Sequence, residues 1–178
     1  MSRGKRVTVL MGGWSAERDV SLVSGSGVAS ALADRGYDVT TFDPPRDLAA
    51  IAAALKPSSG VIFNALHGTG GEDGTIQAIL DLLGLPYTHS GMLASAVAMN
   101  KPLAKRIVAT VGVPSPEGVI VTRRQLEEAH PIPPPYVVKP LAEGSSVGVR
   151  LVREGSNLRG DTPALDEPVR CSPVAWPP

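Results

Sequence analysis

One cysteine, Cys171, occurs in 178 residues. A single thiol closes no intramolecular disulfide and builds no multi-thiolate metal cage. The three histidines, His67, His89 and His130, are scattered and lack the spacing of a zinc motif. An excess of charge is missing too, with 17 basic residues against 17 acidic ones. That balance argues against a nucleic-acid footprint or a polybasic membrane patch. No stretch approaches the ~18 apolar residues of a membrane span. The apolar run behind the basic amino terminus ends at Met11 against Gly12 and Gly13, which is too short for a signal-peptide core. Neither a Gly-x-Gly-x-x-Gly nor a Walker-type Gly-x-x-x-x-Gly-Lys-Ser/Thr pattern occurs. The expectation is a soluble, cytoplasmic protein with no nucleic-acid and no membrane partner.

What is present reads as α/β. Apolar residues make up 43% of the chain, enough for a core, and the length suits one domain or one and a half. Residues 7–11 form a continuous apolar run bounded by glycine, the pattern of a buried parallel strand. Residues 15–33 carry Val20, Val23, Val28, Ala31 and Leu32 at roughly helical spacing, with Gly27 weakening the middle and Gly36 as a stop. Strands follow at 39–42 and 61–66, separated by a short Ala-rich helix at 48–55 that ends before Pro57. The clearest helix is 75–83, with Ile76, Ile79, Leu80 and Leu83 on one face. This alternation builds an open parallel sheet.

The pattern changes near Lys101, where a domain boundary is expected close to residue 100. Pro102 suits the opening of a helix that presents Leu103, Ile107, Val108 and Val111 and closes at Gly112. A strand at 119–121, a short helix at 123–129 and a stiff proline-rich loop at 131–135 lead to two paired strands, 137–139 and 147–152. The segment 156–178 has no apolar periodicity and is expected to be poorly ordered, its last ten or so residues foreign to the fold.

Four places carry chemistry. The sequence GGWSAERDVS at 12–21 lies where the first strand turns into the first helix, and ligands of open α/β sheets bind near such turns. Glu17 there can bind a substrate ammonium, or it can simply complement the helix dipole. The run LHGTGGEDG at 66–74 follows the third strand as a glycine-rich loop expected to be mobile. His67 can donate to a substrate carboxylate or hold the loop locally. Glu72 and Asp73 can be catalytic, although Asp73 is more simply a cap for the next helix. Lys101 stands at the boundary, where an ordinary solvated lysine is the plainer reading. Lys139 is a cation on an apolar strand beside a Gly/Ser loop containing Ser145 and Ser146, an arrangement suited to a nucleotide's phosphates. No Ser/His/Asp set is evident, so Ser145 is expected to hydrogen-bond and not to attack.

Taken together, these residues resemble the D-alanine–D-alanine ligases, ATP-grasp enzymes of peptidoglycan synthesis. The resemblance rests on four signatures in order: GGWSAERDVS at 12–21, ALHGTGGEDG at 65–74, LPYTHSG at 85–91 and VKPLAEGSSVG at 138–148. It covers residues 5 to about 155. It implies an amino-terminal, Rossmann-like pre-ATP-grasp domain over 1–100 and part of an α+β ATP-grasp central subdomain over 101–155. It also implies ATP as a substrate, magnesium (or manganese) as cofactor, and D-alanine as the amino acid that is phosphorylated and then joined to a second. Glu17 matches the glutamate that engages the first D-alanine's ammonium. Ser145 matches the serine bonded to that glutamate, and His67 a histidine near the first substrate's carboxylate. Lys101 and Lys139 match lysines on the ATP phosphates, with Ser146 in the loop above them. A homodimer through the amino-terminal domain is implied as well.

The family chain is about twice as long, and its magnesium ligands have no counterpart here. The expectation is therefore a truncated chain without turnover, in which 101–155 is less stable than in a whole ligase. Glu17 and Lys139 are expected to face one cleft. The alternatives are a ligase that joins D-alanine to D-lactate or D-serine, a non-catalytic module that binds a D-amino acid or nucleotide or forms dimers, and a pseudogene product.

Overall fold

The computed structural model describes residues 5–141, 148–155 and 168–173. The chain divides into two compact units, Met1–Ala98 and Met99–Pro178.

In the first unit, β1 (Arg6–Leu10), β2 (Asp38–Phe42) and β3 (Val61–Asn64) form a parallel sheet in the order β2-β1-β3. The central strand is the expected run, apolar but for Thr8, which is buried with it, as the two-sided burial of a parallel strand requires. Its alternate residues enter different cores. Leu10 joins Ile51, Ile62, Ile76 and Leu80, whereas Val7 and Val9 join Ala65 and, less deeply, Val28, Ala29 and Leu32. The helices α1 (Arg18–Asp34), α2 (Leu48–Ala54) and α3 (Thr75–Leu82) supply these partners. Asp47 caps α2 by accepting the Ala49 and Ala50 amides at 2.8 and 3.1 Å.

α1 differs from its expected face. Val20 and Val23 are 52% and 76% exposed, and the buried positions are Ser21 and Gly25. A Cβ at Gly25 would collide with the Met11 side chain, so small residues bring this helix down onto the end of β1. A further helix, α4 (Met92–Met99), was not anticipated.

In the second unit, α5 (Lys101–Ala109) starts at Asn100, whose side chain accepts the Leu103 amide at 3.1 Å. The strands β4 (Val119–Val121), β5 (Tyr136–Pro140), β6 (Arg150–Val152) and β7 (Val169–Pro173) form an antiparallel sheet in the order β4-β7-β5-β6. α6 (Arg123–Glu128) begins with a capping box between Thr122 and Gln125. The core gathers Val121, Leu126, Tyr136, Val138, Val152, Val169 and Cys171.

β7 corrects the reading of the tail. Within 156–178 the described residues 168–173 are ordered as an interior strand, paired with β4 and β5, and Val169 and Cys171 are 1% and 0% exposed. The physical reason is alternation: two apolar side chains two positions apart suffice to bury one face of a five-residue strand, too short a signal to stand out beside its neighbours. The other positions of that tail lie outside the described residues.

Candidate functional site

The candidate site of the first unit is built by two turns at the carboxyl ends of β1 and β3. The first turn is held by Gly12 and Gly13, both at positive φ (87° and 75°). The Gly12 amide donates to Ser21 Oγ at 2.8 Å, and Ser21 Oγ donates to the Ala65 carbonyl at 2.7 Å. The turn is thereby tied to the strand end on which the second loop begins. Arg18 and Asp43 clamp its outer side: two hydrogen bonds join their side chains, Arg18 donates to the Gly13 carbonyl at 2.8 Å, and Asp43 accepts the Gly13 amide at 2.9 Å.

The Arg18 hydrogen bond holds the Asp43 carboxyl below its ordinary range. A lowered folded-state pKa contributes stability that is present above the unfolded pKa and is lost as pH falls through the folded one. Asp43→Asn should therefore shift the urea midpoint down at neutral pH. The gap from the parent should close as pH drops below the ordinary carboxyl range. Both side chains are more than a third exposed, so the gap is modest.

The second loop, expected to be mobile, is instead pinned. The Gly71 carbonyl accepts from Asn64 Nδ2 at 2.9 Å and Gln77 Nε2 at 2.8 Å. Asp73 accepts the Gly70 and Thr75 amides, both at 2.9 Å. That is the capping role anticipated for Asp73, although the cap position itself is Gly74 at φ 92°. Glu72 Oε2 accepts the Gly68 amide at 2.7 Å. Ser15 Oγ stitches the two turns together by donating to the His67 carbonyl at 2.7 Å and accepting the Glu17 amide at 3.1 Å.

Glu17 sits at the amino-terminal cap of α1, 5% exposed, yet its side chain caps no amide. Its Oε1 is buried without a hydrogen-bond partner among the described residues. A buried carboxylate oxygen left unpaired is costly and points to a ligand donor. His67 and Glu72 accompany it: one ligand-type atom from each of the three lies within 4.8 Å of the others. Ser24 Oγ lies 3.0 Å from His67 Nε2 and fixes the ring. A cavity of about 340 Å³, lined by Ser24, Asn64, His67, Glu72, Gln77 and His89 among others, opens beside them. The structure thus brings Glu17, His67 and Glu72 together, a grouping that scattered histidine spacing gave no sign of.

Gly68 permits this approach. Its φ is +67°, and a Cβ there would stand 3.0 Å from Glu17 Oε1 and 3.2 Å from Ser15 Oγ. Gly68→Ala is expected to cost about 1–2 kcal/mol from backbone conformation alone. It should also weaken whatever Glu17 binds; denaturant unfolding and ligand titration of the variant check both.

In the second unit, Lys139 lies on the sheet face opposite Tyr136 and Val138. Arg170 of β7 stands directly across from it in register. Like charges opposed on one face repel each other unless an anion lies between or over them. Lys105 adds a third cation: burial first, then the charges of Arg170 and Lys139, lower its pKa. Lys105 Nζ donates to the Pro116 carbonyl at 2.8 Å and Arg170 to the same carbonyl at 3.4 Å. Lys105 and Arg170 escaped the sequence reading, because strand register sets Arg170 beside Lys139 and only the packing of α5 adds Lys105. Lys101 Nζ reaches the Leu141 carbonyl at 3.5 Å, at the edge of hydrogen-bond range. Ser145 and Ser146 lie outside the described residues.

The family described as D-ala D-ala ligase N-terminus matches residues 46–90. The D-alanine–D-alanine ligase of Methylobacterium radiotolerans is 59% identical over 151 residues, 85% of this chain and 48% of that protein. The crystal structure of the Bacillus anthracis ligase is 34% identical with a TM-score of 0.70, covering 85% of this chain and 50% of that one. A structure of the Bacillus anthracis enzyme complexed with ATP gives a TM-score of 0.75 at 29% identity, covering 96% and 57%. The chain spans about half the length of the curated relatives it matches.

Proposed function

We propose that this chain, a match to the amino-terminal half of D-alanine–D-alanine ligases, binds D-alanine in its first unit and the phosphates of ATP in its second. The observation that carries the reading is Glu17 Oε1, a buried acceptor without a donor among the described residues. The ammonium of an amino acid brings three donors and a full positive charge, and it satisfies that oxygen. His67, on the adjoining loop, serves the amino acid's carboxylate. The resemblance also gives Ser145 a role at the first D-alanine.

The reaction proposed is the joining of two D-alanines for peptidoglycan synthesis. A carboxylate oxygen of the first attacks the γ-phosphorus of ATP, and the bond to the β-phosphate bridging oxygen breaks, leaving D-alanyl phosphate and ADP. The amine of the second then attacks the acyl carbon and phosphate departs, with the amine's surplus proton released. Making an acyl phosphate brings two anions together, so fixed cations must neutralise the charge that develops. Lys139 with Lys101, and Ser146 in the loop, supply that role; the gathering of Lys105 and Arg170 around Lys139 supports it. Magnesium, which the resemblance also implies, finds no fitting set here: among the described residues of the second unit no three carboxylate or imidazole donors converge. A second copy of the chain is the proposed partner, through the first unit.

Alone, the chain is proposed to bind without turnover. Calorimetry with D-alanine should show saturable binding, while ADP release from ATP stays at background when D-alanine is added. Absence of D-alanine binding would contradict the reading. ADP release that Glu17→Gln abolishes would contradict the lack of turnover.

A further inference from the structure

We infer that Glu17, His67 and Glu72 form a binding site for a borderline divalent transition metal, with Zn2+ the best fit, in the place where an ammonium would otherwise sit. The inference does not rest on the D-alanine reading, since it needs only the geometry of three side chains.

The three side chains come from two turns fixed to the ends of β1 and β3, so the donors are held by the sheet and not by one flexible loop. Their ligand-type atoms lie within 4.8 Å of one another. Metal bonds of about 2.0–2.2 Å place tetrahedral ligands about 3.3 Å apart, so closure requires a shift of about 1.5 Å or less. Glu72 is exposed and can supply it.

A second, independent observation points to a cation: Glu17 is only 5% exposed, and its Oε1 has no hydrogen-bond partner among the described residues. The surrounding shell resembles that of metal-bound imidazoles and carboxylates. Ser24 Oγ lies 3.0 Å from His67 Nε2 and engages that nitrogen, so Nδ1 is the ring nitrogen left for a metal. Glu72 Oε2 accepts the Gly68 amide, which orients this carboxylate and keeps its other oxygen for a metal.

Two carboxylates and one imidazole suit Zn2+ or Co2+, and they do not suit Mg2+, which favours oxygen ligands in octahedral array. Rival ligands elsewhere are weak. Cys171 is fully buried, and burial pushes its thiol up to about 11. His130 is engaged with the Tyr136 hydroxyl at 2.8 Å and His89 with Thr88 Oγ1 at 2.7 Å.

The test is titration of the whole chain with Zn2+ alone, and with Co2+ alone followed by visible absorption. One site of micromolar affinity is expected, together with the ligand-field bands of a low-coordinate Co2+ ion, and Mg2+ in excess should not displace either metal. His67→Gln and Glu72→Gln should each weaken Zn2+ at least about tenfold, since even outer-shell changes at metal sites cost about 10–100-fold. Glu72 is exposed, so Glu72→Gln keeps the fold and decides the matter should His67→Gln prove unstable. Binding weaker than millimolar, or Zn2+ affinity unchanged in the Glu72→Gln chain, overturns the inference.

Discussion

Glu17→Gln is expected to weaken D-alanine binding by about 30-fold or more while leaving the amino-terminal unit at least as stable as before. The two effects have separate origins. A charged partner removed from a buried, hydrogen-bonded pair typically costs about 2–5 kcal/mol of binding. In the unbound protein, however, Glu17 Oε1 already lies buried with no donor among the described residues. Such an oxygen carries an uncompensated desolvation penalty of about 1–3 kcal/mol or more. Glutamine keeps the shape and removes the charge, so stability holds or rises. A residue that costs stability and serves binding is the mark of a site organised for its ligand. Calorimetry with D-alanine and thermal unfolding without it measure the two halves. A Glu17→Gln chain that loses stability by more than about 1 kcal/mol would make Glu17 a structural residue, since changes that touch no such feature stay within about 0.5 kcal/mol.

Removal of residues 168–178 is expected to abolish cooperative folding of the second unit while the first remains folded. β7 is an interior strand with ladders to β4 on one side and β5 on the other. Without it β4 has no strand partner among the described residues, and β5 keeps only β6. Val169 and Cys171 vacate the middle of a small core. Burial of one valine side chain is worth about 1.5–3 kcal/mol, and the cavity left behind adds to the loss. Whole domains are stable by only about 5–15 kcal/mol. In amide exchange, Val121 and Val138 should lose protection, and Val9 and Ile62 should keep it. Persistent protection of Val138 in the shortened chain would contradict the role assigned to β7.

Much of the fold was legible where one physical rule dominates. β1 and β3 announce themselves as apolar runs between glycines, and α3 by its 3.6-residue stripe of Ile76, Ile79, Leu80 and Leu83. α1 was placed correctly but its face was misjudged. It packs through Ser21 and Gly25, whose small size permits close approach and which give no hydrophobic signal. α4 is rich in alanine and apolar at every position but Ser95, so no periodicity marks it. β7 escaped because five residues with one buried face resemble any irregular segment, and its partners are distant in sequence.

The site divides in the same way. Glycines at strand ends drew attention to Glu17 and His67, because a turn that lets backbone approach closely is visible in sequence. That Glu72 joins them, and that Arg170 opposes Lys139, depends on loop closure and strand register, which no local pattern encodes.

The most direct test of the account compares D-alanine with D-lactate, the same skeleton bearing hydroxyl in place of ammonium, by following backbone amide shifts of the chain. D-alanine should move the amides of Glu17, Gly68 and Gly70 at concentrations where D-lactate leaves them still, and Glu17→Gln should erase the difference. Equal responses to the two compounds, or a preference for D-alanine that survives Glu17→Gln, would contradict it.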